Sequence, residues 1–223
     1  GTPVGVLFDI FGNARSISTP DIGAGEFTAT VCGTVFDVTL ANPYSENFDG
    51  PSWAPNVSYG SNIWSPCWTP SPAYSSGVFA WHVKSGGTPS SLTGPLSANS
   101  GANYLYTESS FGSNGDTALV VSPSLILSAT NAQLSFAYHM YGAQNDAIYV
   151  HVSTDGGATF PLVDTVTTTM SSQSDPWLTH YTSLAQYAND TVIIALRVTK
   201  AGTSFTQDVG LDDFVVQDAI TCF

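Results

Sequence analysis

Short apolar runs that alternate with polar positions recur along this chain, and helical periodicity is almost absent. In AIYVHVS, Ile148, Val150 and Val152 share one face while Tyr149 and His151 share the other, the period of a half-buried strand. LYTESS, TALVVSP, FPLVDTVTTT, TVIIALRVTK and VGLDDFVVQD are further β-rich runs, separated by turn residues. In AQLSFAYHMYG the same period puts Leu134, Phe136, Tyr138 and Met140 on one face and Ala137, His139 and Tyr141 on the other. The first face is the more apolar and is expected to line the core, with His139 hydrogen-bonded or partly wet on the second. Several short strands with regular turn signals predict an all-β antiparallel sandwich.

Two stretches depart from this pattern. From about Pro51 to Asn103 the chain is rich in Pro and Gly, shows little alternation and holds Trp53, Trp64, Trp68 and Trp81. It is expected to form long ordered loops around a few short strands, packed down by aromatics. The opening LFDIFGNARSISTPDIGAGEF carries turn signals and is too short to build its own core.

Charge narrows the function. The chain has 17 Asp and Glu against 4 Lys and Arg, a net charge of −13. This argues against nucleic acid and anionic membranes as partners and suits a surface that collects divalent cations. No apolar run is long enough for a membrane-spanning helix. Cys32, Cys67 and Cys222 form no C-x-x-C pair, so zinc is not expected. A Cys32–Cys222 disulfide would join the ends of a sandwich; three free or buried thiols are the alternative.

No nucleophile elbow, phosphate loop or zinc-protease motif is present, and His82, His139, His151 and His180 are scattered. Ser153 to Phe160, S-T-D-G-G-A-T-F, resembles the Asp-box of sialidases and many extracellular β proteins. Its expected role is local: Asp155 accepts hydrogen bonds inside a tight turn, the glycines take positive φ and Phe160 tucks under the hairpin.

The motif of greatest chemical interest is GLDDFVV, where adjacent carboxylates Asp212 and Asp213 enter an apolar strand. Period two sends them to opposite faces if the strand is regular. Five segments in order resemble the MAM family: ENFDG at 46–50, TGPLSANSGANYLYTESS at 93–110, FAYHMYG, Trp177 and GLDDFVV. The cysteines usual in eukaryotic members are missing, and Ser97-Ala98-Asn99-Ser100 replaces the Asp-His-Thr that follows Gly-Pro. The style is similar to bacterial modules in large secreted Bacteroidetes proteins. The segment DIFGNAR…TPDIGAGEF, within residues 8–27, resembles the terminal segment of a right-handed parallel β-helix.

The resemblance implies a β-helix terminal coil at 1–30, a linker at 31–43, a MAM-like jelly roll at 44–218 and the start of another linker at 219–223. It implies a structural calcium ion between first and last strands, with Asp49 and Asp212 or Asp213 as leading ligands and Asn99 and Glu108 as weaker ones. The expected function is a non-catalytic adhesion, recognition or spacing module of a bacterial cell-surface protein. Its partners would be other domains of the same chain, glycans or cell-surface proteins. The alternative is a carbohydrate-binding or accessory domain of a secreted hydrolase. Exposure of Trp53, Trp64, Trp68 and Trp81 as an aromatic platform would favour sugar binding there, and their burial a scaffold.

Overall fold

A computed structural model describes residues 35–55, 63–73, 77–143 and 147–219. The expected β-helix coil at 1–30 and most of the final linker lie outside the described residues. The described chain is a sandwich of two sheets with a single short 3₁₀ turn at Ala185–Tyr187.

The first sheet is built around β12 (Thr191–Thr199). Along one edge of β12 run β6 (Thr117–Val121) and β7 (Leu125–Leu127), consecutive pieces of one path interrupted at Pro123. Along the other edge lies β9 (Ile148–Ser153), followed by β10 (Leu162–Val166). Two short strands finish the sheet: β3 (Thr69–Ser71) on β6, and β1 (Phe36–Val38) on β7. The β1–β7 pair is parallel, so this sheet is mixed. Residues 36–38 fall within the expected linker, yet Val38 is fully buried in the core. Burial of that side chain makes β1 part of the sandwich.

The second sheet is built around β13 (Val209–Asp218). β8 (Ala132–Met140) flanks one side of it, with β11 (Leu178–Ser183) beyond. On the other side are β5 (Asn103–Thr107) and β2 (Tyr44–Glu46), with β4 (Trp81–Ser85) outside β5. The strand alternation sets which side chains face inward. Leu134, Phe136, Tyr138 and Met140 of β8 meet Ile148, Val150 and Val152 of β9 in the main core, as their spacing predicts. Such burial is the dominant stabilising term of a sandwich.

His139 is not partly wet: it is fully buried on the outer face of β8, with the Asp175 backbone as its polar neighbour. Its ring packs against Trp177 at 5.8 Å, and Trp177 also covers Gly210, where a Cβ would collide with the indole. A canopy of loops therefore dries the outer face of this sheet. Burial depresses the basicity of His139.

The open flank of the sandwich is tied between sheets. Asp164 of β10 accepts hydrogen bonds from His180 Nε2 at 2.9 Å and Thr182 Oγ1 at 2.8 Å, both on β11. On another edge, Pro70 leaves β3 without one backbone donor, which discourages pairing with a foreign strand.

Phe136 is 0% exposed at the centre of the core, so Phe136→Ala should cost about 3–5 kcal/mol. Urea denaturation measures this; a loss below about 1 kcal/mol would place Phe136 outside the packed core.

Candidate functional site

The two adjacent aspartates reach one place because the strand is irregular. Pairing of β13 with β8 shifts register between Asp212 and Val215, and Asp213 has φ +48°. This bulge breaks the alternation that would part the two carboxylates. Both carboxylates turn to the loop that precedes β5.

That loop meets them with donors. The backbone N–H groups of Asn99 and Ser100 donate to Asp212 Oδ2 at 2.9 and 3.2 Å, and the Asp213 N–H donates to Asp212 Oδ1 at 2.8 Å. Asn99 Nδ2 and Ser100 Oγ donate to the two oxygens of Asp213 at 2.7 and 2.6 Å. One turn further, Ala102 and Asn103 N–H donate to Asp49 Oδ1 at 3.0 and 2.9 Å. Gly101 sits between with φ +59°, and a Cβ there would occupy the space of the Asp49 carboxylate. Only glycine permits this approach.

Asp49 is presented by a strained turn after β2. Phe48 has φ +58° and is fully buried, with its ring 5.1 Å from Trp53 and 5.5 Å from Trp68. Phe48 points into the core while Asp49 faces the 99–103 loop. Trp68 Nε1 also donates to Tyr44 Oη at 2.9 Å.

Among the candidate residues, Asp212 and Asp213 engage Asn99 and Ser100, and Asp49 engages the same loop at Ala102 and Asn103, without the three carboxylates forming a common cluster among the described residues. Glu108 does not reach this loop: it lies just past the end of β5, beside Asp208. Nor do the tryptophans form an open platform. Trp53, Trp68 and Trp81 are 4%, 3% and 0% exposed, and half-buried Trp64 packs on Trp53. Their large apolar surfaces fill the core instead.

Asp212 is 0% exposed, and no Lys, Arg or His pairs with it among the described residues. Burial, reinforced by the charge of Asp213, pushes its carboxyl up to about 7 despite the N–H donors. The side chains around it offer hard oxygens of the kind calcium takes. In donor chemistry they fit that ion. Among the described residues, no three His, Cys, Asp or Glu side chains gather as a finished metal cage; here N–H donors engage the carboxylates.

A second buried polar cluster had no periodic signal. Ser109 N–H and Oγ donate to Asp208 Oδ1 at 2.9 and 2.8 Å, and Gln207 N–H donates to Ser109 Oγ at 2.9 Å. Lys200 Nζ donates to the carbonyls of Ser109 and Ser204. Burial and the charge of Glu108 raise the Asp208 carboxyl, while burial lowers the Lys200 ammonium. Lys200 was visible as a rare cation ending an apolar strand, the one hint of a buried acidic partner.

The Asp-box turn follows its expected form. Asp155 accepts from Ser153 Oγ and from Thr159 N–H and Oγ1, and these bonds hold its carboxyl below the usual range. Gly156 and Gly157 have positive φ. Cys67 is disulfide-bonded; the expected Cys32–Cys222 pairing lies outside the described residues.

Comparison with known proteins agrees with this architecture. The family model described as MAM domain, meprin/A5/mu matches residues 68–222. Neuropilin-1a of Danio rerio is 34% identical over 74 residues, covering 32% of this chain and 8% of that protein. Thyroid hormone-induced protein B of Xenopus laevis is 33% identical over 144 residues, covering 62% and 20%. The chain thus spans a small part of the curated relatives it matches. The K1 cleaved adhesin domain of Lys-gingipain from Porphyromonas gingivalis W83 superposes with a TM-score of 0.53 at 18% identity, covering 80% of this chain and 99% of that one. A Stig cyclase from Fischerella sp. TAU gives 0.51 at 15% identity, covering 78% and 94%. These two share the fold.

Asp212 carries a pH signature. Its folded pKa lies above its unfolded value, so the folded state binds more protons and stability falls as pH rises between about 4 and 7. Without added metal, raising pH from 5 to 8 should cost wild type about 2–3 kcal/mol more than Asp212→Asn. Denaturation of both proteins at the two pH values reads the difference, and equal losses would refute the penalty.

Proposed function

The chain belongs to the MAM family, and from that premise we propose that it is a non-catalytic, extracellular adhesion and recognition module of a longer bacterial surface protein. Family membership carries the reading. The likeness of fold to cleaved adhesin domains supports it. So does the small share of the matched relatives that the chain spans, as a module within longer proteins would. A disulfide at Cys67 suits an oxidising compartment. Burial of three of the four tryptophans disfavours an aromatic sugar platform in the 51–103 region, and with it the accessory-domain alternative in that form.

A structural calcium ion is part of the proposal. Asp49, Asp212 and Asp213 would supply carboxylate oxygens and Asn99 its amide oxygen. The ion would supply the positive charge that buried Asp212 lacks, and would fasten the turn after β2 to β13. Glu108 does not belong to this set.

Two measurements test these statements. Beads coated with the purified chain should adhere to cultured cells or extracellular matrix above beads coated with an unrelated β-sandwich; adhesion no better than that control would overturn the recognition role. Calcium at about 100 times its Kd should add about 2.7 kcal/mol of stability and collapse the pH difference between wild type and Asp212→Asn. Identical melting in chelator and in millimolar calcium would remove the ion from the proposal.

A further inference from the structure

The outer face of the first sheet holds a second arrangement. Arg197 is the one arginine among the described residues, and it projects from β12 away from the core. Its cross-strand neighbours are Tyr149 on β9 and Leu119 on β6. The guanidinium carbon lies 4.4 Å from the centroid of the Tyr149 ring, a cation–π contact. Arg197 Nε donates to His151 Nε2 at 3.3 Å, and His151 Nδ1 is 2.9 Å from the carbonyl oxygen of Phe160. A carbonyl only accepts, so Nδ1 carries the proton and Nε2 presents a lone pair to the arginine. Burial and the neighbouring guanidinium both depress the basicity of His151, which suits this neutral form.

The Asp-box hairpin thus fixes His151 through Phe160, and His151 and Tyr149 fix Arg197. The Nε edge and one ring-facing side of the guanidinium are used. Among the described residues, no protein acceptor takes the Nη hydrogens and no carboxylate lies within ion-pair distance of Arg197. In a chain with 17 acids and 4 basic residues, that is an unusual economy. It follows from the face itself: β3, β6, β9 and β12 contain no Asp or Glu at all.

We propose that this face is a carboxylate-binding subsite, with Arg197 as receptor and Tyr149 and His151 as its mounts, and that its ligand is an acidic sugar residue of a glycan. The proposal rests on the recognition reading above and names its ligand class. A guanidinium fork matches the two oxygens of a carboxylate. The overall charge of −13 repels a polyanion at long range, whereas a single carboxylate on an otherwise neutral oligosaccharide meets little of that field and is caught at short range. The adjoining row, Thr117 paired with Thr199, and Thr165 beyond Tyr149 bring hydroxyl groups beside the fork. Hydroxyls pair with sugar hydroxyls without adding charge.

The experiment is calorimetric titration of the full chain with sialyllactose, an oligosaccharide ending in glucuronate, neutral lactose, and acetate. At least one acidic oligosaccharide should bind, with lactose and acetate each at least ~10-fold weaker; Arg197→Ala and Arg197→Lys should each weaken that binding by a similar factor, the lysine keeping charge but losing the fork. Circular dichroism and melting should match wild type. No binding of either acidic sugar, equal binding of lactose or acetate, or full binding by a folded Arg197→Lys would overturn the subsite. Bead adhesion by wild type separates the two claims. Adhesion without binding of either acidic sugar ends the sugar assignment and leaves the recognition role standing, while absence of both ends both.

Discussion

Backbone and side-chain donors of a single loop grip three carboxylates, and the second sheet is organised around that grip. Asn99 and Ser100 hold Asp212 and Ala102 and Asn103 hold Asp49, while side chains of Asn99 and Ser100 hold Asp213. A buried carboxylate without partners costs several kcal/mol. For Asp212, the one of the three that is fully buried, the N–H dipoles of the loop offset part of that cost. The same contact sets the turn after β2, the bulge in β13 and the entry into β5, so three remote stretches of sequence are adjusted to one another at one point.

The sandwich was legible because burial on one face imposes period two. AIYVHVS and FAYHMYG alternate, and their inward sets are the ones found in the core. Features that escaped are those alternation does not encode. The bulge at Asp213 depends on a positive φ that aspartate adopts without glycine's signature. The donors that neutralise Asp212 are main-chain groups, which every residue carries, so no side-chain pattern announces them. Trp53, Trp68 and Trp81 have the composition of either a platform or a core, and only the packing partner, Phe48 for two of them, distinguishes these. His139 is buried because Trp177, remote in sequence, lies over it.

Polar burial of this kind shapes the second sheet as much as apolar burial shapes the interior. Glu108 and Ser109 just past β5, Asp208 just before β13 and Lys200 just past β12 of the other sheet are all buried. A hydrophobic layer would stabilise at least as well. The hydrogen bonds of Ser109 and Gln207 instead specify where each loop lies, since a slip of one residue would strand a charge. The first sheet has the opposite character. Its outer face has a small apolar cluster of Val121, Ile193 and Ala195 under Phe160, with Arg197 beside it, and is free of acids along four strands.

The position of β13 has a mechanical meaning. The last described strand is not an edge: β8 flanks it over almost its whole length, and β5 and β2 flank the other side. Tension applied through that end runs along the strand axis, so the lateral hydrogen bonds are loaded together in shear and cannot be unzipped one at a time. Asp164, held by two donors from β11, opposes the splaying of the two layers under the same load. In the module proposed above, this geometry would make the sandwich a stiff link along the chain.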